Sequence, residues 1–297
     1  MLTNSAKTVL FYSFKGGVGR TQLMLNSAKY LASQGRKILM VDFDIYAPGL
    51  SFWDIDSKPK DSNEDYLLNF MVKDFSGDAT TNSIYLKKIS ENLFLAPIYD
   101  MQNIDIYHKL LVDLSAYLYD IKLKANDKIS QQTKLSDAIL ESFINKLTQN
   151  YDFDYIFFDA RTGLTEISDI LFSSRIDLKL FISAYNHQNI RGINSVLKLI
   201  NKDDKHTILR ILSLKPSLEN NKVLEQLKSE ANLDDNKDLR ENFNWYDMME
   251  IQYNRDIVLN DFKLWEEIDT QSSYKLEVEE IANKIETIIH GDSSIEL

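Results

Sequence analysis

No cysteine occurs in the 297 residues, which excludes disulfides and thiolate metal sites. No apolar run approaches the roughly 20 residues needed to cross a bilayer. Met1 to Thr8 lacks the apolar core of a signal peptide, so a soluble cytoplasmic protein is expected. Basic charge is in deficit: 34 Lys and Arg stand against 45 Asp and Glu, a net charge of -11. A protein that rides on DNA without sequence preference needs a basic face to release counterions from the phosphates, so this balance disfavours a nucleic-acid partner. Glycine is scarce as well, with nine in the whole chain, and Gly16, Gly17 and Gly19 stand almost together.

What is present is enough apolar material for a substantial core. Hydrophobic residues make up 44% of the chain, and one α/β domain over residues 1–297 is the simplest organisation. The three glycines fall between a β-branched and aromatic run, Thr8 to Tyr12, and a run in which Leu23, Ala28, Leu31 and Ala32 recur at roughly helical spacing. Strand, glycine loop and helix in that order read as a phosphate cradle. The loop N–H groups and the free N–H groups of the helix start point into one concavity, where side chains would obstruct an anion. Thr21 sits where a hydroxyl can ligate the Mg²⁺ that accompanies a nucleoside triphosphate. Arg20 stands where the usual P-loop formula has lysine. Its planar fork keeps the charge and can hold two phosphate oxygens, but it leaves the hydrolysis rate open.

Lys15 to Thr21 resembles the deviant Walker A motif of the MinD/ParA group of P-loop ATPases, in the variant with Arg at the second cationic position. The resemblance implies a doubly wound, mostly parallel α/β sheet flanked by helices, with ATP and Mg²⁺ as cofactors. It implies nucleotide contacts from Gly16, Gly17, Val18, Gly19, Arg20, Thr21 and Gln22. It also implies that Lys15 reaches the nucleotide of a second subunit, so that ATP is held within a homodimer.

Two strand ends complete the pattern. Ile38 to Val41 leads into Asp42-Phe43-Asp44, and carboxylates at the carboxyl end of a buried parallel strand lie where ligands bind in open α/β sheets. By resemblance, Asp44 orients the attacking water and Asp42 stands near the Mg²⁺ shell, with Pro48-Gly49-Leu50 as the first switch loop. Tyr155-Ile156-Phe157-Phe158-Asp159 is a short apolar run ending in one acid. It resembles Walker B, so Asp159 is expected to support Mg²⁺. The following Ala160-Arg161-Thr162-Gly163 resembles the second switch of the Arg-containing subset, in which Arg161 either touches the γ-phosphate or ties the loop to an acid. Leu214-Lys215-Pro216-Ser217, with Lys215 and Pro216 as the candidate contacts, match only by position the place where related ATPases contact the base.

The remaining pattern is coarser. Asn92–Pro97, Leu178–Ser183, Thr207–Ser213 and Met249–Tyr253 read as strands, and Tyr66–Val72, Asn194–Ile200 and Tyr274–Ile289 as helices. Ala184–Asn189 reads as a polar loop, in which His187 is a poor candidate for a general base, and Leu224–Asp238 as an exposed helix and loop. Residues 104–150 carry two apolar stripes, Leu110, Leu111, Leu114, Leu118 and Leu135, Ile139, Phe143, Leu147. They read as a helical insertion with an exposed connection at Lys122 to Lys134, a candidate lobe for a partner. The terminal helix is acidic on its polar face, unlike a basic amphipathic membrane anchor, and is expected to pack on the domain.

These readings converge on an ATP-binding, slowly hydrolysing switch that dimerises and acts on a protein partner from the same system, with no membrane contact. Antiphage defence is the setting suggested by the resemblance. The alternatives are a nucleotide-gated binding module with negligible hydrolysis and a partitioning or positioning ATPase; the acidic balance disfavours the last.

Overall fold

A computed structural model of the chain describes residues 6–52, 64–76, 83–100, 102–124, 129–200, 205–216, 222–252, 254 and 265–291. In chain order the strands are β1 (Lys7–Ser13), β2 (Ile38–Phe43), β3 (Glu64–Asp65), β4 (Ser83–Ile84), β5 (Lys87–Lys88), β6 (Leu93–Ala96), β7 (Tyr155–Ala160), β8 (Leu178–Ala184), β9 (Thr207–Lys215) and β10 (Asn244–Gln252). The helices are α1 (Arg20–Ser33), α2 (Leu67–Ser76), α3 (Ile104–Lys124), α4 (Ile129–Thr148), α5 (Glu166–Leu171), α6 (His187–Leu199), α7 (Lys222–Ala231), α8 (Lys237–Arg240) and α9 (Ser273–His290).

Strands β2, β7 and β8 are buried along their whole length, as strands covered by helices on both faces must be. They sit in an eight-stranded sheet of order β10-β9-β8-β1-β7-β2-β6-β5, parallel except for β5 against β6. Side chains alternate across β1. Val9 and Phe11 pack with Leu23, Met24 and Leu31 of α1 and Val278, Ile281 and Ile285 of α9, while Leu10 and Tyr12 pack on the opposite side with Leu114, Leu140, Phe143 and Ile193. The expected doubly wound sheet is therefore present, and β1 is its switch point. From β1 the chain goes first to β2 and β6 on one side, returns to β7 next to β1, and then runs outward on the other side through β8, β9 and β10.

The terminal helix docks as expected, with Val278, Ile281 and Ile285 fully buried. The insertion forms α3 and α4, and Tyr107, Leu114, Leu118, Leu140, Phe143 and Leu147 are buried among its described side chains. Its connection is shorter than the sequence pattern predicts. Helix α3 continues to Lys124 and α4 begins at Ile129, and residues 125–128 lie outside the described part of the chain. Two further expectations are corrected. The polar segment before Asn194 is not all loop, because α6 starts at His187, and Asn186 caps it by accepting a hydrogen bond from the Asn189 N–H at 2.9 Å. Its first turn carries little apolar periodicity, so only the capping asparagine marks it. Helix α7 is not simply exposed either: Leu224, Leu227 and Ala231 are buried against Ile190 and Leu212. The paired β3 and β4, two residues each, were too short to register as a pattern. Strand β10 begins at Asn244, earlier than its apolar end suggests, and Tyr253 lies outside the described residues. Among the described residues no helix is long and apolar enough to cross a membrane.

Candidate functional site

The glycine loop leaves the carboxyl end of β1 and enters α1 at Arg20. Gly17 and Gly19 take φ of 73° and 77°, the left-handed region that side chains resist. No neighbouring atom lies within 4 Å of a Cβ built on either. Backbone conformation, not space, is what requires glycine here. Two cavities meet along this loop. The larger, about 490 Å³, is lined by Ser13, Arg20, Thr21, Asp44, Thr162 and the loop glycines. The smaller, about 210 Å³, shares Gly17, Val18, Gly19 and Gln22, and its far wall is Ser213, Leu214, Ile251, Gln252, Asn254 and Tyr274.

Asp44 lines the larger cleft, and strand register sets two further acids, fully buried, behind it. Asp42 of β2 lies directly beside Asp159 of β7, which in turn lies beside Phe11 of β1. Arg20 crosses back over these strand ends. Its Nε donates to Asp159 Oδ1 at 2.6 Å and its Nη2 to Asp44 Oδ2 at 3.3 Å. The Thr21 hydroxyl donates to the other Asp159 oxygen at 2.7 Å. Arg20 is 8% exposed. Burial disfavours its charge, but Asp159 and Asp44 outweigh that and hold its pKa above the usual value. Burial pushes the Asp44 carboxyl up against the opposing pull of Arg20. Asp42 is fully buried, and burial followed by the neighbouring Asp159 pushes it up to about 7 although the Ser51 N–H and hydroxyl donate to its Oδ2 at 2.7 Å each.

The two loops beyond the acids are held by named contacts. Tyr107 of α3 donates its hydroxyl to the Ile45 carbonyl, and Tyr46 and Ser115 hydroxyls lie 3.1 Å apart. The Arg161 guanidinium stacks over the Tyr46 ring at 4.1 Å. It therefore joins the loop after β7 to the loop after β2, rather than tying its own loop to an acid as one expectation had it. Tyr12 donates to the Gly163 carbonyl at 2.9 Å, anchoring the second loop to β1.

The remaining sequence candidates fall as follows. Lys15 is half-buried and directly precedes Gly16 of the cleft wall, and among the described residues no ion pair holds it. Lys215 turns away to Glu250, at 2.6 Å, and neither it nor Pro216 lines a cavity of the site. Of the segment expected there, Leu214 at φ 56° does form that wall, with Ser213 before it, and Ser217 lies outside the described residues. His187 pairs with Glu230 at 2.7 Å. Residues that the sequence did not single out are Ser13 and Thr162 in the larger cleft and Gln252, Asn254 and Tyr274 in the smaller. A strand-end position was the one available signal for Ser13.

The donor set fits a bound phosphate with a divalent cation. The Ser13 hydroxyl, Arg20 Nη1 and Asp42 Oδ1 are buried polar atoms without a partner, and all three lie at or beside the cleft. Thr21 Oγ1 and the Asp42 and Asp159 carboxylates are hard oxygen donors suited to such a cation. Among the described residues no three acidic, histidine or cysteine side chains are arranged to hold a metal alone. Ligand oxygens therefore have to complete its shell.

A mostly parallel sheet with a glycine-rich loop leaving β1 at the switch point and acids closing β7 and β2 beside it is the P-loop fold of MinD/ParA-type proteins. The AAA domain family model (AAA_31) matches residues 6–211, more than half of the chain, and the chain belongs to that family. It is 26% identical over 220 residues to the uncharacterized protein MJECL24 of Methanocaldococcus jannaschii, covering 72% of this chain and 76% of the relative. Its fold is similar to that of the ATP complex of an McdA variant from Cyanothece, with TM-score 0.63, 16% identity and coverage of 95% and 97% of the two chains. It is also similar to a chain of the MinC:MinD cell division protein complex of Aquifex aeolicus, with TM-score 0.51, 18% identity and coverage of 98% of each.

Proposed function

We propose that this chain is an ATP-dependent switch. It binds ATP with Mg²⁺, closes into a homodimer around the nucleotide, turns over slowly, and through that cycle controls a protein partner. The observation that carries this reading is the meeting of the glycine loop, Arg20, Thr21, Asp44 and Asp159 at one cleft that opens into a mainly apolar side pocket. Phosphates fit along Gly16 to Thr21, and a base fits against Leu214, Ile251 and Tyr274. The ATP complex of the McdA variant is a precedent in a protein of this fold.

Mg²⁺, when bound, would offset the negative charge that builds up on the phosphate oxygens during transfer. Thr21, Asp159 and Asp42 are the residues to hold it. Asp44 holds a water toward the terminal phosphate once Arg20 releases it. Lys15, directly before Gly16 of the cleft wall, reaches the nucleotide of a second copy in this reading. Partner control is supported by α3, which grips the first switch loop through Tyr107 and Ser115 and leaves Val112 and Tyr119 exposed on its outer face. A protein seated there reads the loop that contacts the nucleotide, and MinC with MinD is a precedent for a partnered protein of this fold. Antiphage defence as the setting rests on the motif resemblance, and cytoplasmic residence on the sequence reading.

A second reading is favoured by one contact. Arg20 occupies Asp44, the acid assigned to the water, at 3.3 Å, which suits a nucleotide-gated binding module with negligible hydrolysis. Size-exclusion chromatography with ATP, ADP and no nucleotide, with phosphate release measured on the same samples, separates the two. An ATP-specific dimer with phosphate release supports the switch, and the same dimer without release supports the module. A chain that takes up no nucleotide refutes both. Asp44→Ala is expected to keep ATP binding, abolish turnover and trap the dimer; unchanged hydrolysis removes Asp44 from its role.

A further inference from the structure

Arg20 does more in this chain than replace a P-loop lysine. A lysine ammonium is a point charge that satisfies one acid well, whereas the guanidinium fork holds Asp159 through Nε and Asp44 through Nη2 at once. Both Asp159 oxygens are thereby taken, one by Arg20 and the other by the Thr21 hydroxyl. These are two of the three side chains that would hold a divalent cation, and the positive charge between the strand ends is already provided by the protein. At the same time Arg20 Nη1 is buried without an acceptor, in the wall of the cleft where phosphate oxygens fit. The guanidinium therefore has a better set of partners available than the one it holds.

We infer that Arg20 is a built-in counter-ion that occupies the cation position of the resting chain, so that a divalent metal is admitted to Asp159 and Thr21 only after phosphate oxygens draw the guanidinium away. Binding is ordered, nucleotide first and metal second. The same movement frees Asp44, so the acid that orients water is released only when nucleotide is in place. This rests on the proposed nucleotide site, but its first half, the exclusion of metal by Arg20, holds without any nucleotide.

The test is Mn²⁺ binding followed by electron paramagnetic resonance on the full chain, with three samples: the natural protein alone, the same protein with a non-hydrolysable ATP analogue, and Arg20→Gln alone. The natural protein alone is expected to show no saturable site at millimolar Mn²⁺, and the analogue to create one. Arg20→Gln is expected to bind Mn²⁺ without nucleotide at least about tenfold more tightly than the natural protein, because removing the guanidinium uncovers the carboxylates. Equal Mn²⁺ affinity of the natural protein and a folded Arg20→Gln overturns the inference. Should Arg20→Gln fail to fold, the Arg20 Nε–H resonance of the ¹⁵N-arginine-labelled natural protein, assigned by its loss in Arg20→Lys, decides. It is expected to move on adding the analogue in EDTA and to stay in place with Mg²⁺ alone, and movement with Mg²⁺ alone overturns the inference. An analogue that does not bind in either protein refutes the nucleotide reading, while the Arg20→Gln comparison still reports on metal exclusion.

Discussion

Adding one methyl group at Gly192 sets two known effects against each other. Gly192 is buried in the interior of α6, where alanine is favoured over glycine by about 1 kcal/mol of helix propensity. A Cβ there, however, lies 2.0, 2.3 and 2.7 Å from three ring carbons of Phe14, far inside the roughly 3.5–4.0 Å of ordinary carbon contact. The ring has to shift by about 1.5 Å, and a buried overpacking of this kind costs roughly 1–3 kcal/mol. Because Phe14 directly precedes Lys15 and the glycine loop, its displacement is passed to the phosphate cradle. Net of propensity the cost is up to about 2 kcal/mol, so Gly192→Ala is expected to lower the melting temperature by up to roughly 8 °C, and to weaken nucleotide binding by about tenfold for each 1.4 kcal/mol that reaches the loop. Thermal unfolding and titration with a fluorescent ATP analogue read the two quantities. In a Phe14→Leu background the clash shrinks, and the same substitution should become neutral or stabilising. A raised melting temperature and unchanged affinity in the Gly192→Ala single variant refute the claim that the Phe14 contact positions the loop.

The other predictions are independent of it. Asp42 carries a folded pKa raised from 3.8 to about 7, so the stability it contributes is fully present below the lower value and is lost as pH rises through the higher one. Asp42→Asn should flatten this part of the stability profile and gain on the order of a few kcal/mol at pH 8; urea unfolding from pH 4 to 8 that shows the same slope in both proteins contradicts it. Arg210 is fully buried with Asn194 and Ser183 as partners, its Nε has no acceptor, and burial pushes its pKa down. Among the described residues no acid pairs with it, so Arg210→Met should raise stability by about 1–3 kcal/mol in denaturant unfolding, whereas a loss would show that the guanidinium is better compensated than its contacts indicate. Tyr107→Phe removes the donor to the Ile45 carbonyl and should cost about 1–2 kcal/mol. Hydrogen exchange of the first switch loop should rise without change at β8, and an unaltered exchange pattern argues against the α3 grip.

The loop and the strand-end acids were legible because their signals are local. Left-handed glycines between a buried strand and a helix, and an acid closing an apolar run, are properties of a few adjacent residues and survive any packing. Asp42, Asp44 and Asp159 could be placed at one edge because parallel strands present the same end to the same side. Of the segment Leu214-Lys215-Pro216-Ser217, Leu214 lines the smaller cavity while Lys215 does not, because the left-handed Leu214 at the end of β9 turns the following lysine toward Glu250. The start of α6 was hidden because its first turn is polar and stabilised by one asparagine side chain instead of an apolar stripe.

By itself the sequence determined the class of fold, the phosphate loop and the acids that serve it, since backbone conformation and strand burial depend on near neighbours. The tertiary structure alone decided which side chains hold one another. Arg20 meets acids 24 and 139 positions away, Phe14 meets Gly192, Arg161 meets Tyr46, and Tyr107 reaches over to Ile45. Such pairings follow from which elements lie side by side in space, and the sheet order that sets this is fixed by the packing of the whole chain rather than by any one stretch of it.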